Sequence, residues 1–260
     1  MFQTFSHRIK SWLWFQKSAQ TRYYIHSPYV FEFYCKVLDE PFDEACSSIE
    51  TLWMQIKNND SPIQIEDFGA KKGTYTSSLS HLAKHVAIQP KYGKVLHHFL
   101  KWNEATYVLE LGTSLGFGAA YMASAKSGIE LTTIDASASV QNYAKTYHQA
   151  LGLKNITYIN AQFDDVLPKL LNDFPRLDVV YIDGNHTYEA TLRYFNLLLP
   201  KCTANTVLIF DDIYWSKAMS DAWTTIKQNE KVRLTIDVFQ LGFVFFRTER
   251  LAKEDFVLRY

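Results

Sequence analysis

Glu110-Leu111-Gly112-Thr113-Ser114-Leu115-Gly116-Phe117-Gly118 follows directly on the apolar run Thr106–Leu109. A β-favouring run that ends in glycines reads as a strand handing over to a helix. Glycine allows the tight turn and a close backbone approach to a ligand, and the helix N-terminus behind it favours an anionic group. The spacing, G-x-x-x-G-x-G, departs from the G-x-G-x-x-G of the dinucleotide fingerprint. It also lacks the G-K-[ST] that closes a phosphate-binding P-loop. Asp135, about twenty residues on, suits a contact to ribose hydroxyls. A ribose-bearing ligand without a pyrophosphate is the expectation that remains.

Working outward, the same strand-then-helix rhythm repeats through residues 101–260. Leu131–Ile134, Ile156–Ile159, Val179–Ile182 and Val207–Phe210 are apolar on both faces, as buried parallel strands are. Between them Phe163, Val166, Leu167, Leu170 and Leu171 repeat at helical spacing, as do Tyr188, Leu192, Phe195 and Leu199, and Met219, Ala222, Trp223 and Ile226. Val232–Val238 and Phe243–Phe246, separated by a turn near Gly242, read as a hairpin. The predicted fold is α/β, a Rossmann-like doubly wound sheet of five parallel strands closed by a C-terminal antiparallel hairpin.

Carboxylates fall where these strands end: Glu110, Asp135, Asp183 and the pair Asp211-Asp212. The carboxyl ends of the strands in an open α/β sheet are its ligand-binding edge. Like charges raise one another's pKa and repel, so helix capping alone is a poor reason to gather them there.

These segments resemble class I S-adenosylmethionine-dependent methyltransferases. E-L-G-T-S-L-G is similar to their first motif, T-T-I-D to their ribose-binding second strand, and Asn160-Ala161-Gln162 to the adenine-contacting turn after the third. Tyr181-Ile182-Asp183-Gly184-Asn185-His186-Thr187-Tyr188-Glu189, with Phe210-Asp211-Asp212, resembles the small-molecule O-methyltransferases of the catechol and macrocin type. The resemblance implies a seven-stranded methyltransferase fold. It also implies a pocket for the methionine part of the cofactor shaped by Glu110, Gly112 and Gly116, with Thr113, Ser114 and Gly118 near the amino-acid moiety. Asp135 would hold the ribose, and Ala161 and Gln162 would face the adenine. Asp183 would border the cofactor and, with Asp211 and Asp212, match the positions that bind a divalent cation such as Mg2+ in metal-dependent members. Asn185 stands where some members carry an acidic base and cannot act as one. His186 stands where catechol-type enzymes carry a lysine, and a histidine can take a proton from a hydroxyl. Asp183 and His186 are therefore the expected catalytic residues.

Residues 1–100 show no strand–helix alternation and are expected to form a helical extension serving as a lid or in substrate or dimer contacts. Phe2, Phe5, Ile9, Trp12 and Leu13 share one helical face, expected to pack on protein, with a membrane-surface or partner helix as the alternative. Pro28 is expected to open a second helix to about Leu38, Pro90–Gly93 to be a loop, and Val95–Trp102 a helix. Lys91-Tyr92-Gly93 resembles a lysine–glycine stretch that precedes the first strand in the catechol group.

Lysine and arginine together balance aspartate and glutamate at 27 each. That is unlike a dedicated nucleic-acid binder. Cys35, Cys46 and Cys202 form no C-x-x-C pair, which argues against a zinc knuckle or a disulfide framework and suits a reducing cytoplasm. No apolar run approaches a membrane span. The expected partner is a small-molecule acceptor. Three readings compete with it: a methyltransferase of nucleic acid or protein, an NAD(P) oxidoreductase, and a non-catalytic binding module. The fourth strand ends D-G-N-H and not in the [DN]-P-P-[YF] of base-methylating enzymes, and the glycine spacing disfavours the oxidoreductase.

Overall fold

A computed structural model describes residues 2–40, 43–67, 73–249 and 252–260. In chain order the elements are α1 (Phe2–Ser18), α2 (Pro28–Phe33), α3 (Glu44–Lys57), β1 (Pro62–Asp67), β2 (Gly73–Ser78), α4 (Leu79–His85), α5 (Pro90–Trp102), β3 (Tyr107–Leu111) and α6 (Phe117–Ala123). Then follow β4 (Glu130–Asp135), α7 (Ala138–Ala150), β5 (Ile156–Asn160), α8 (Phe163–Asp173), β6 (Val179–Ile182), α9 (Tyr188–Leu198), β7 (Val207–Phe210), α10 (Lys217–Gln228), β8 (Leu234–Asp237), β9 (Gly242–Phe245) and β10 (Glu254–Val257). The chain packs as two compact units, residues 36–169 and residues 1–35 with 170–260.

In the first unit, β3, β4 and β5 are parallel neighbours in that order. Their register sets Glu110 beside Thr133 and Asp135 beside Asn160. Helices α5 and α6 pack on each other through an apolar seam, and Gly93 is part of it, since a Cβ there would meet the Tyr121 ring at 2.2 Å. The expected loop at Pro90–Gly93 is instead the first turn of α5, because proline at the opening position costs a helix no hydrogen bond.

The second unit orders its strands β10-β8-β9-β7-β6. β6 and β7 are parallel, and β9 runs antiparallel between β7 and β8, which is the expected closing hairpin. β10 adds a strand beyond the seven expected, parallel to β8. Its charged and exposed residues carry no apolar alternation, so it pairs as an edge. The second predicted helix is α2, continued over Tyr34–Leu38 as a π-helix.

The division at residue 100 differs from the packing. The first 35 residues join the C-terminal half, where Gln20 bridges Leu258 and Phe33 sits edge-on to Phe243. Residues beyond 36 join the glycine-loop unit, and there β1 and β2 form an unexpected antiparallel hairpin. Glu66 of β1 fixes that hairpin by accepting hydrogen bonds from the Ser137 and Ser139 hydroxyls at 2.6 and 2.9 Å.

The apolar face of α1 is not packed on its own chain. Phe5, Ile9, Trp12 and Leu13 are exposed, while Ser11 and Phe15 are buried. The buried side is held by polar and aromatic contacts, His7 to Ser220 at 2.9 Å and Phe15 against Phe239 at 5.2 Å. The side chain of Phe2 lies outside the described residues.

Candidate active site

In the glycine-loop unit, β3 delivers Glu110 and the turn that follows it. Glu110 is 1% exposed and accepts a hydrogen bond from the Thr133 hydroxyl, which lies 2.6 Å from the Thr113 hydroxyl. The turn runs through left-handed backbone at Gly112, Ser114 and Gly116. At Gly116 that conformation is joined by crowding, because a Cβ would stand 2.6 Å from the Ala144 Cβ and 2.7 Å from a His148 ring nitrogen. Asp135, at the end of β4, accepts the Ser114 N–H on one oxygen and the Ser137 N–H on the other, both at 2.8 Å. Each carboxylate oxygen carries two lone pairs, so both can accept a further donor. The turn after β5 is fastened to the same strand end, since the Asn160 amide and the Ala161 N–H donate to the Asp135 carbonyl at 2.9 and 3.1 Å. Ala161 is half-buried and Gln162 exposed, while Gly118 is buried in the first turn of α6.

Sequence reasoning missed what holds this turn. His148 of α7 donates to the Gly116 carbonyl at 2.7 Å, and its other nitrogen accepts from the Tyr158 hydroxyl at 2.6 Å. Burial lowers the His148 pKa to about 4, so the ring is neutral and works as a fixed donor and acceptor. Gln141, two helical turns earlier on the same face, donates to the Ile159 carbonyl at 3.0 Å. The spacing of Gln141, Ala144 and His148 along one helix face was the available signal, but nothing in the sequence aims that face at the glycine turn.

In the second unit, β6 and β7 end side by side and their carboxylates follow at once. Asp211 is buried. One of its oxygens accepts the Tyr181 hydroxyl at 2.9 Å, and the other accepts the N–H of Asp212 at 2.8 Å. Tyr181 also reaches Asp183 at 3.3 Å. Burial first, then the charges of Asp183 and Asp212, push the Asp211 carboxyl well above the usual carboxylate range. Asp212 is also raised, chiefly by burial. A ring nitrogen of His186 stands 3.4 Å from Asp183. Burial opposes its charge, but the bond to Asp183 and the charges of Asp212, Asp183 and Asp211 outweigh burial and raise its pKa to about 9. At neutral pH His186 is an imidazolium among carboxylates.

Asn185 and Asp212 both adopt left-handed backbone, at φ 49° and 53°. Asn185 is locked there by donating to the Tyr194 hydroxyl at 2.6 Å. Its role is thus to shape the turn that presents His186, a role its amide suits. Strained backbone at such positions is typical of functional turns. The loop after Asp212 is anchored by Tyr214, which donates to buried Asp237 and stacks on Phe239.

Among the described residues, one group of three metal-ligating side chains has its ligand atoms all within 4.8 Å of one another, namely Asp43, Cys46 and His97. Lys101 already pairs with that aspartate at 2.8 Å, which makes it a closed ion pair at the start of α3. Asp183, Asp211 and Asp212 do not draw that close in this structure. Their donor set nevertheless fits a hard cation, being all oxygen, with three carboxylates crowded against a single imidazolium.

Residues 109–213 match the family described as a methyltransferase domain. No curated protein matches the chain in sequence. In three dimensions it is similar to the O-methyltransferase of Bacillus cereus in complex with SAH, at 17% identity and a TM-score of 0.57, covering 84% of this chain and 97% of that one. It is also similar to the O-methyltransferase TomG of Streptomyces achromogenes, involved in tomaymycin synthesis and solved with SAM, at 17% identity and a TM-score of 0.56, covering 84% and 96%. The SAH-bound methyltransferase PaMTH1 of Podospora anserina aligns at 13% identity and a TM-score of 0.54, covering 80% and 98%. The fold is therefore the Rossmann-like methyltransferase fold, a mixed sheet of mostly parallel strands with flanking helices.

Proposed function

We propose that this chain is a class I methyltransferase that moves a methyl group from S-adenosylmethionine to an oxygen of a small molecule. The observation that carries the proposal is the cradle at the ends of β3 and β4. There a glycine turn that tolerates no Cβ at Gly116 faces Asp135, whose two oxygens are pre-oriented by backbone N–H groups. Glu110, Gly112 and Gly116, with Thr113, Ser114 and Gly118, shape the methionine end. Asp135 holds the ribose diol, and Ala161 and Gln162 border the adenine. The relatives solved with SAM or SAH support this choice of ligand.

S-adenosylmethionine supplies an already activated methyl, so the chain's own residues mainly position the acceptor and remove its proton. Asp183 holds His186, and the His186 ring is the group to receive that proton. Because its pKa lies near 9, the receiving form grows as pH rises to that value. Asp183, Asp211 and Asp212 would hold a divalent cation, which would lower the pKa of an acceptor hydroxyl. Burial raises the Cys46 and Cys202 thiols to about 12, which leaves them unreactive and suits a reducing compartment. The neutral charge and the D-G-N-H turn favour a small acceptor over nucleic acid.

A methyl-transfer screen over phenols, sugars and amines, run with magnesium and with chelator, tests the reading. Methylation of a hydroxyl that stops in chelator and returns with magnesium is expected. A chain that binds NAD in preference to S-adenosylmethionine would overturn it.

A further inference from the structure

Helix α1 presents a face that its own unit leaves uncovered. Phe5, Ile9, Trp12 and Leu13 follow the i, i+4, i+7, i+8 spacing of one helix face, and their exposures are 66, 44, 48 and 49%. Tyr23, Tyr24 and Phe31, after the helix in sequence, are exposed too, as is Trp14 on α1, and elsewhere among the described residues large exposed apolar side chains are confined to Met54, Val86 and Trp215. A helix that merely covers a domain turns such residues inward. This one turns Ser11 and Phe15 inward and Phe5, Ile9, Trp12 and Leu13 outward.

The charge on this segment has one sign. Arg8 lies on one side of the apolar face and Lys10 and Lys17 on the other, Arg22 follows, and the first acidic residue of the chain is Glu32. No helix among the described residues is long and apolar enough to cross a membrane. An amphipathic helix with Trp, Phe and Leu on one face, edged by lysine and arginine, lies in the plane of a bilayer interface. Two copies of this chain packed face to face through α1 would set Lys10 and Lys17 of one copy against those of the other. An anionic surface neutralises them all.

We infer that α1 is a membrane-surface helix that seats the enzyme on bilayers of anionic lipid, with Phe5, Ile9, Trp12 and Leu13 entering the headgroup boundary and Lys10 and Lys17 meeting the headgroups. Its inner side stays on the fold. Arg8 lies over the Trp215 ring at 4.5 Å and Trp14 against Tyr214 at 6.0 Å, so the bound helix also covers the loop that follows Asp212.

Flotation of the full chain with vesicles tests this. Vesicles of phosphatidylcholine containing phosphatidylglycerol should carry the protein up the gradient, and pure phosphatidylcholine should carry roughly tenfold less or worse. Brominated acyl chains should quench tryptophan emission of the unaltered chain on the anionic vesicles. Ile9→Glu with Leu13→Glu, both at exposed positions, should abolish flotation with an unchanged melting temperature. Lys10→Glu with Lys17→Glu should abolish it as well and serves as a second variant if the first fails to fold. Failure of the full chain to float with anionic vesicles, or flotation unchanged in both variants, overturns the inference. So does a concentration-dependent dimer in light scattering that Ile9→Glu with Leu13→Glu dissolves, because α1 would then be a subunit interface.

Discussion

Two loop regions, the glycine turn at 110–116 and the acid-bearing turns at 183–187 and 211–213, each lean on a histidine, and the two histidines are in opposite charge states. His148 is neutral and binds a backbone carbonyl and a tyrosine hydroxyl. His186 is charged and sits among three aspartates. The first region is held by hydrogen bonds from backbone N–H groups, hydroxyls and a neutral imidazole, and its carboxylate at Asp135 is aimed by fixed N–H donors. In the second, like charges are gathered and only partly offset, which raises Asp211 and Asp212 and prepares the site to exchange protons or accept a cation. The comparison separates binding from chemistry. A preorganised cradle grips a ligand, and an electrostatically loaded cluster changes protonation state.

The largest expected effect breaks the second region while sparing the first. His186→Gln should lower turnover by roughly 10²–10⁴-fold, the usual cost of losing a general base, with the affinity for S-adenosylmethionine unchanged by calorimetry. In the unaltered enzyme turnover should climb with pH as imidazolium gives way to imidazole, and a bound cation, by offsetting the aspartates, should end the climb below the metal-free value of about 9. Rates measured between pH 6 and 10 check both. A mutant with full turnover at neutral pH would remove His186 from the chemistry.

Gly116→Ala attacks the first region. The residue holds φ 82° and has no room for a methyl group against Ala144 and His148. Strain and overpacking of this kind cost about 1–3 kcal/mol each, and the expected outcome is a lower melting temperature together with loss of cofactor binding. Wild-type binding in this variant would mean that the turn is not the cradle.

Much of this contrast was legible in the sequence. Alternating apolar runs placed β6 and β7 to the residue, and the acids at the strand ends followed from them. What could not be read depends on partners distant in sequence. His148 and Tyr158 look like ordinary helix and strand residues until α7 is laid against the glycine turn. The hairpin of β1 and β2 is short, with two buried apolar residues in β1, Ile63 and Ile65, and it is held through Glu66 on Ser137, a contact 71 positions apart. Apolar spacing shows that α1 has a face without showing what the face meets. Here the inward side is fixed instead by His7, Ser11 and Phe15.

The smallest expected effects are in stability. The Lys101 ammonium beside Asp43 first of all, with the Ala45 N–H adding to it, holds the Asp43 carboxyl at about 2, well below its ordinary value. A depressed carboxylate stabilises the fold above its unfolded pKa and loses that contribution as pH falls through the folded one. Lys101→Ala should therefore cost about 1 kcal/mol at pH 7 and progressively less between pH 4 and 2. For His186 the sign is reversed. Its raised pKa stabilises the fold below about pH 6.5 and the contribution fades as pH rises to about 9. For His148 the depressed pKa destabilises the fold as pH falls from about 6.5 toward 4. Thermal melts across this range, with each variant alongside the unaltered chain, check the three signs.

Calorimetric titration of S-adenosylmethionine into the unaltered chain and into Asp135→Ala addresses the central claim most directly. The unaltered chain should bind one equivalent. The folded variant should bind more weakly by about 1.5–3 kcal/mol, the usual worth of a hydrogen bond to a charged group. Equal affinity in the two proteins, or no binding to either, would contradict the assignment of the β3–β4 cradle as a methyl-donor site.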